Sequence, residues 1–159
     1  MIKRGEKDLG FTLIELMVVI SILGFLIVAA VFTFSIVRIH SRDALRAGNA
    51  ATFSRALALY MNDQATYPLS DGECLNVSFG AGKDMKDANV IVDIPVDPLW
   101  PTAVPGVLNA EGYAEGASNN FCYYYTGTNK NYYLSYYLES SSKSGAAGIH
   151  VITPLGVQN

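Results

Sequence analysis

The sequence predicts an α+β fold in which a long N-terminal helix packs on a small antiparallel β-sheet. Two observations predict the helix: residues 16–37 form an uncharged stretch of 22 residues, and no proline occurs before Pro68. A third observation predicts the sheet, since aromatic, strand-like segments follow residue 118. The chain has 159 residues, which is the length of one or two domains, and only 16% of them are charged.

The uncharged stretch, residues 16–37, is long enough to cross a lipid bilayer as a helix. At 1.5 Å per residue such a helix spans about 33 Å, close to the thickness of the hydrocarbon core. It is apolar on all its faces, unlike an amphipathic surface helix. A buried core helix is the alternative, but the 122 residues that follow Val37 are too few to surround it.

The residues ahead of this stretch carry the most specific motif of the sequence. The segment GFTLIELMVVI begins at Gly10, follows a short, mildly basic leader and holds a single charged residue, Glu15. An ordinary signal peptide has a shorter apolar core that ends in a small-x-small cleavage site, and this sequence has neither. The motif resembles the class III signal of type IV prepilins and of the related pseudopilins.

This resemblance implies a pilin-like fold and a processing pathway. It implies that a membrane prepilin peptidase cleaves between Gly10 and Phe11 on the cytoplasmic side and that Phe11 is then N-methylated. It also implies that Glu15 acts in assembly. In a filament, the Glu15 carboxylate can pair with the Phe11 ammonium of a neighbouring subunit, so that neither charge is isolated in an apolar core. The alternative is that Glu15 only lies at the level of the lipid headgroups.

The helical pattern continues past the apolar stretch, and we expect one helix from about Phe11 to about Met61. Arg38, Arg42 and Arg46 recur every four residues and form a basic stripe on one face. Residues 38–55 hold four Arg and one Asp, whereas residues 56–159 hold four Lys and ten acids. This segregation suits a basic stem that stacks on the acidic head of another subunit. Contact with anionic lipid headgroups and a solvated face are the alternatives.

The remaining residues predict a globular head with a β-sheet. Residues 119–126 and 130–139 are aromatic-rich segments separated by turn residues, and they predict a β-hairpin. Residues 148–153 predict a further strand, whereas residues 70–90 are rich in Gly, Asp, Asn and Ser and predict a loop.

Two cysteines, Cys74 and Cys122, occur in the chain, and both fall in the part expected to be exported. Oxidising compartments favour their pairing. We therefore expect a disulfide, with two separate thiols as the alternative.

Several function classes are disfavoured by the sequence. His40 and His150 lie far apart in the sequence, and neither is near a Ser or Cys in a nucleophile motif. We therefore expect that the protein is not an enzyme and has no catalytic residue. We expect no cofactor and no metal site, because Cys and His are too few for zinc and the one acid after Glu115 is Glu139. A net charge of −3, with Lys130 as the one cation among the hairpin tyrosines, disfavours nucleic acid as a partner.

The position of the expected membrane-spanning stretch defines the topology and the division of the chain into parts. We expect a single-pass inner-membrane precursor with a cytoplasmic N-terminus and an extracytoplasmic head. Its parts are a cleaved leader (residues 1–10), a transmembrane and filament-core half-helix (11–37), an exported half-helix (38–62) and the head (63–159).

The expected function is that of a structural subunit in a homo-oligomeric, type IV pilus-like filament for adhesion, motility or DNA uptake. The expected partners are the prepilin peptidase and a pilus or secretion assembly platform, and the filament would lie in the periplasm or on the cell surface. The alternatives are the major pseudopilin of a type II secretion system and a minor tip pilin that binds DNA or a surface. Residues 56–68 and 94–98 resemble segments of the major pseudopilin of type II secretion and of related pilins. The first of these segments favours a pseudopilin, whereas the expected disulfide and the lack of calcium-binding acids favour a pilin.

Overall fold

The computed structural model of the protein describes residues 11–102 and 120–158. The chain divides into two compact units, Met1–Arg38 and Ile39–Asn159. Helix α1 (Leu13–Gln64) contributes residues to both units, and its ends lie within three residues of the predicted ends. In the described part of the chain, α1 is the one helix that is long and apolar enough to cross a membrane.

The first unit consists, in its described part, of the N-terminal portion of α1. Every side chain of residues 13–37 is exposed, including those of the large apolar residues. The hydroxyls of this portion are satisfied within the helix itself. Ser21, Thr33 and Ser35 each donate a hydrogen bond of 2.7–3.0 Å to a carbonyl three or four residues earlier. These hydroxyls therefore need no hydrogen-bond partner outside the helix. An apolar environment, which offers no such partner, can accommodate them.

The second unit contains a five-stranded antiparallel sheet whose strands lie in chain order. The strands are β1 (Ser70–Cys74), β2 (Tyr124–Gly127), β3 (Tyr132–Leu138), β4 (Gly148–Thr153) and β5 (Gly156–Gln158). Strands β2 and β3 form the predicted hairpin, with Tyr124 opposite Ser135 and Gly127 opposite Tyr132. Strand β4 coincides with the predicted strand at residues 148–153. The predicted α+β, pilin-like fold class is therefore confirmed.

The prediction that residues 70–90 form a loop was wrong. This segment contains the edge strand β1 and a short helix, α2 (Gly80–Asp87). Strand β1 depends on pairing with β2, and a bulge between Ser70 and Glu73 accommodates Gly72 at a φ of 120°. The Glu73 carboxylate in turn accepts a 2.6 Å hydrogen bond from the Ala81 N–H at the start of α2. Both elements are stabilised by partners that local composition does not reveal.

The core of the second unit lies between α1 and the sheet. On α1, Ala50, Phe53 and Leu57 are spaced three or four residues apart and are fully buried. On β3, alternate residues face them, and each buried side chain of this size contributes about 1.5–3 kcal/mol. The core residues of β3 are Tyr132, Leu134, Tyr136 and Leu138.

The tyrosines of the hairpin are mainly core residues. Tyr123 and Tyr125 are at most 2% exposed, and their hydroxyls are satisfied inside the unit. The Tyr125 hydroxyl donates to the Pro68 carbonyl at 2.9 Å, and the Tyr123 hydroxyl accepts from the Asn49 side chain at 3.0 Å. Tyrosine supplies apolar area and a polar tip at once, which suits this core.

Candidate functional site

The N-terminus of α1 is capped by three hydrogen bonds between Thr12 and Glu15, which run in both directions. The Thr12 N–H and hydroxyl donate to Glu15 Oε2 at 2.8 and 2.7 Å, and the Glu15 N–H donates to Thr12 Oγ1 at 3.3 Å. This is a capping box, in which both residues satisfy amides that a helix start leaves unpaired. The Thr-x-x-Glu spacing signals this arrangement, so Thr12 is a residue that the sequence analysis missed but could have found.

The surroundings of Glu15 are open to a neighbouring molecule. The Phe11 side chain is 86% exposed, and an apolar surface groove is lined by Phe11, Ile14, Glu15, Val18 and Val19. Gly10, the other residue of the predicted cleavage site, lies outside the described residues. In this arrangement the Glu15 carboxylate has a local partner three residues away and remains accessible from outside.

The arginine stripe does not present three exposed cations. Arg38 is exposed, Arg42 is partly buried and Arg46 is fully buried. Arg42 binds Glu139 through two parallel hydrogen bonds, from Nε to Oε1 at 2.7 Å and from Nη2 to Oε2 at 2.6 Å. The structure therefore brings two of the three arginines together on one carboxylate and leaves Arg38 apart from them. A role of the stripe in stacking between subunits remains a prediction.

Arg46 is the centre of an ion cluster inside the second unit. Its Nε and Nη2 donate to the two carboxylate oxygens of Asp97 at 2.6 and 3.0 Å. Its Nη1 donates to Asp43 Oδ1 at 2.8 Å and to Glu139 Oε1 at 2.6 Å. The guanidinium carbon also lies 4.6 Å from the centre of the Phe121 ring, a cation–π distance. We call Arg42, Asp43, Arg46, Asp97 and Glu139 the arginine cluster.

Asp43 ties the cluster to the end of β3. Its Oδ1 accepts from the Glu139 N–H and its Oδ2 from the Ser140 N–H, both at 2.9 Å, and the Ser140 hydroxyl donates to Oδ2 at 2.9 Å as well. The cluster thus connects three segments: α1, the extended loop at Asp97 and the residues that follow β3. A buried carboxylate with this many donors is fully compensated.

The ionisation of the cluster follows from these contacts. Burial favours the neutral form of Asp43, but the hydrogen bonds from Glu139, Ser140 and Arg46 outweigh it and lower the Asp43 pKa. The hydrogen bonds from Arg42, opposed by burial and supported by Arg46, lower the pKa of Glu139. Burial also disfavours the charged form of Arg46, but its three carboxylate partners raise the Arg46 pKa. All three groups therefore stay charged at neutral pH.

The contacts of the arginine cluster support a role in stabilising the fold. Its three carboxylates surround a guanidinium, and within the described residues no group of His, Cys, Asp or Glu side chains is arranged to hold a metal ion. Paired buried charges are costly to separate, so the cluster holds its three segments in one arrangement.

The predicted disulfide between Cys74 and Cys122 is confirmed, with a Cα–Cα distance of 5.7 Å. It joins the end of β1 to the residues that precede β2. Next to it, the Leu75 N–H donates to the Tyr123 carbonyl at 2.9 Å. The disulfide thus fastens the edge strand that the local sequence does not predict.

A comparison with protein-family models matches residues 7–31 to the prokaryotic N-terminal methylation motif. The matched range includes Gly10, Phe11, Thr12 and Glu15, and it extends into the exposed apolar portion of α1. Comparisons with curated proteins and with solved structures found no match. The chain therefore carries, in residues 7–31, the class III signal of type IV pilins and pseudopilins.

Proposed function

We propose that this chain is a structural subunit of a type IV pilus-like filament. It is inserted into the inner membrane as a prepilin with a cytoplasmic N-terminus, cleaved after Gly10, N-methylated on Phe11 and polymerised. The single observation that carries this proposal is the methylation motif at residues 7–31, which leads directly into a helix that is exposed and apolar on all its faces. Prepilin peptidase and an assembly platform are the partners that the proposal requires.

The exposed portion of α1 supports polymerisation because it lacks an internal partner. Residues 16–37 are uncharged and all exposed, and a contiguous apolar surface of this kind marks a membrane or protein contact. Lipid covers this surface in the precursor. In the filament, the same surface packs against the helices of neighbouring subunits.

Glu15 links processing to assembly in this proposal. In the precursor its carboxylate is held by Thr12, which provides hydrogen bonds but no compensating charge. Cleavage creates an ammonium group at Phe11. An ion pair between Glu15 of one subunit and Phe11 of the next removes both net charges from the apolar filament core, so it favours the assembled state over separate subunits.

The second unit fits an exported head. Its disulfide is of the kind that persists in oxidising compartments outside the cytoplasm. Only 16% of the chain's residues are charged, and five of those in this unit pair with one another in the arginine cluster, which leaves a surface of modest charge. Such a surface lies against copies of itself with little repulsion.

A second candidate function is that of a major pseudopilin in a type II secretion system. The passage from α1 into the following loop, residues 56–68, leans toward the pseudopilin pattern and supports this alternative. The disulfide supports the pilus subunit instead. Expression of the chain with each kind of assembly platform, followed by electron microscopy of sheared filaments, separates the two functions.

The processing step is tested by the intact mass of the mature protein. Co-expression with an active prepilin peptidase should remove residues 1–10 and add one methyl group to Phe11. An unprocessed leader under these conditions would contradict the proposal.

The assembly role of Glu15 is tested by Glu15→Ala. We expect the membrane precursor to accumulate normally while filaments disappear. Asp63→Ala, which removes an exposed carboxylate at the other end of α1, is the matched control and should leave filaments intact. Normal filaments from the Glu15 variant would show that the ion pair is not required.

A further inference from the structure

We propose that Arg38 binds the phosphate groups of membrane lipids and thereby fixes how deeply helix α1 lies in the bilayer of the precursor. This inference rests on the membrane-inserted precursor of the proposed function. It concerns one exposed guanidinium and the uncharged stretch, residues 16–37, that precedes it. The ligand is an anionic oxygen pair of a lipid headgroup, which a guanidinium can bind through two parallel hydrogen bonds.

Arg38 differs from the other arginines of the basic stripe because the chain provides no partner for it. Arg42 is paired with Glu139, and Arg46 is buried among three carboxylates. Arg38 is exposed, and within residues 11–102 and 120–158 it forms no hydrogen bond or ion pair. The structure thus leaves this cation of the stripe available to a partner outside the chain.

The position of Arg38 in the helix places it next to the lipid headgroups. Arg38 directly follows the uncharged stretch, and it is the first Lys or Arg after Lys7. A long cationic side chain at the end of a membrane helix keeps its aliphatic part in the hydrocarbon and extends its charge to the interface. The phosphate layer is therefore the first anionic surface that the Arg38 guanidinium can reach.

The separation of Glu15 and Arg38 matches the thickness of a bilayer. The two residues enclose 22 uncharged residues of one uninterrupted helix, so their Cα atoms lie about 34 Å apart along its axis. The hydrocarbon core is about 30 Å thick, and a modest tilt of the helix absorbs the difference. When Arg38 is bound to phosphate at one surface, Glu15 consequently lies among the headgroups of the other surface.

This depth determines when the Glu15 carboxylate leaves water. In the precursor, Glu15 is held by Thr12 and remains hydrated at the membrane surface, so its charge is not buried. Withdrawal of the helix during assembly draws Glu15 into the apolar region, where an unpaired carboxylate is costly. Binding of Arg38 to lipid phosphate therefore opposes withdrawal until the Phe11 ammonium of another subunit is available to Glu15.

A lipid headgroup, rather than a free phosphate ion, is the source of phosphate that this position favours. An exposed ion pair contributes little stability by itself. Because α1 already lies in the bilayer, lipid phosphates surround Arg38 at a high effective concentration, and a contact that is weak in solution is then occupied. Free inorganic phosphate gains no such advantage.

The contact is tested by solid-state NMR of the full chain in vesicles of phosphatidylethanolamine and phosphatidylglycerol. The arginines carry ¹³C at Cζ, and dephasing of this signal by ³¹P reports guanidinium groups that touch phosphate. We expect Arg38→Gln to lower the dephased fraction. Arg55→Gln is the matched control, because Arg55 is exposed about 25 Å further along the same helix, and it should leave the fraction unchanged. Equal dephasing in the two variants would overturn the inference.

A second arm of this experiment separates lipid phosphate from free phosphate. The unsubstituted chain and Arg38→Gln are compared in maltoside micelles that contain inorganic phosphate and no phospholipid. We expect the same dephasing from both chains. A difference that persists in these micelles would mean that Arg38 takes phosphate from solution, and it would overturn the role of the lipid.

The depth of the helix is tested with a fluorescent amino acid that is quenched by lipids brominated at defined depths. The probe replaces Leu23, Ile27 or Val31, which are all exposed. Because position 27 lies midway between Glu15 and Arg38, its probe should be the deepest, and the other two should lie about 5 Å shallower. A deepest probe at position 23 or 31 would overturn this inference and leave the membrane-inserted precursor standing. A chain whose probes are not quenched at all would overturn both.

Discussion

Residues 13–37 and residues 39–64 belong to one helix, yet they differ in where their partners are found. The first portion is exposed on every face, and its one charged residue, Glu15, is held by Thr12 three positions away. The second portion has a buried face, on which Arg46 binds carboxylates 51 and 93 positions away. The first portion therefore leaves its apolar faces exposed, whereas the second portion is covered and paired by other segments of the chain.

The two portions of α1 stabilise their charged side chains in different ways. A capping box satisfies polar groups locally and leaves the carboxylate exposed, so Glu15 can change partners. The arginine cluster satisfies its members through several segments at once, so none of them can leave without exposing another. Under the proposed function, the first portion serves assembly, whereas the arginine cluster in the second unit holds the head in one structure.

The largest expected effect is that of Arg46→Met, which removes the centre of the arginine cluster. We expect the free energy of unfolding of the second unit to fall by about 3–5 kcal/mol, because three carboxylates lose their buried cation. Urea denaturation of the full chain in detergent, followed by near-UV circular dichroism of the buried tyrosines, measures this change. Arg55→Met is the matched control, because Arg55 is exposed on the same helix, and its effect should stay within about 0.5 kcal/mol. Equal effects of the two substitutions would contradict the comparison.

Removal of the disulfide should have the next largest effect. We expect Cys74→Ala combined with Cys122→Ala to lower the free energy of unfolding by about 2–4 kcal/mol, since the disulfide closes a loop across 48 positions. The same denaturation experiment reports this loss. The amide exchange of residues 13–37 should not change, and a change there would mean that the two portions of α1 depend on one another.

Acid should weaken the second unit through the arginine cluster. The folded-state pKa values of Asp43 and Glu139 lie below their ordinary values of about 4, so the unfolded chain binds more protons. Their contribution to stability is complete above that ordinary range and is lost as the pH falls through the lowered values. We expect the urea midpoint to decrease from pH 5 to pH 3. Asp43→Asn should show a shallower decrease, and a midpoint independent of pH in the unsubstituted chain would argue against the cluster.

The smallest expected effect is that of Thr12→Ala in the first portion. Loss of the cap should destabilise the first turn of α1 by about 1 kcal/mol, which corresponds to roughly fivefold faster amide exchange at residues 13–16. Thr33→Ala is the matched control, because the Thr33 hydroxyl bonds to its own helix without capping it. Equal amide exchange rates at residues 13–16 in the two variants would mean that Thr12 does not fix the start of the helix. We expect neither substitution to change the denaturation midpoint of the head.

Sequence reasoning recovered the features that depend on neighbours in the chain. The span of α1, the hairpin of β2 and β3 and the disulfide were predicted, because hydrophobic pattern, turn residues and cysteine number are local or compositional signals. Strand β1 and helix α2 were missed. The residues of β1 resemble a loop because the partners that order this strand, β2 and Cys122, lie about 50 positions further along the chain. Helix α2 in turn begins at a hydrogen bond to Glu73 of β1, so it depends on a strand that the sequence did not predict.

The arginine stripe shows the same limit at the candidate site. Spacing placed Arg42 and Arg46 on one face, and both contact Glu139. The charge counts suggested a basic stem and an acidic head that attract one another between subunits. In the structure, Arg42 and Arg46 are paired with acids of their own unit, and spacing alone contains no information on which acids these are. Stacking between subunits remains a prediction.

The amino-acid sequence by itself determined the first portion of this protein: the methylation motif, the apolar helix and the Thr-x-x-Glu cap. These features act within one helical turn or through composition, so the order of the residues is sufficient to predict them. Only the tertiary structure decided the second unit, in which Asp97, Glu139 and Asp43 meet at one guanidinium. Burial and long-range pairing select such partners, and they do so only once the sheet has packed on α1.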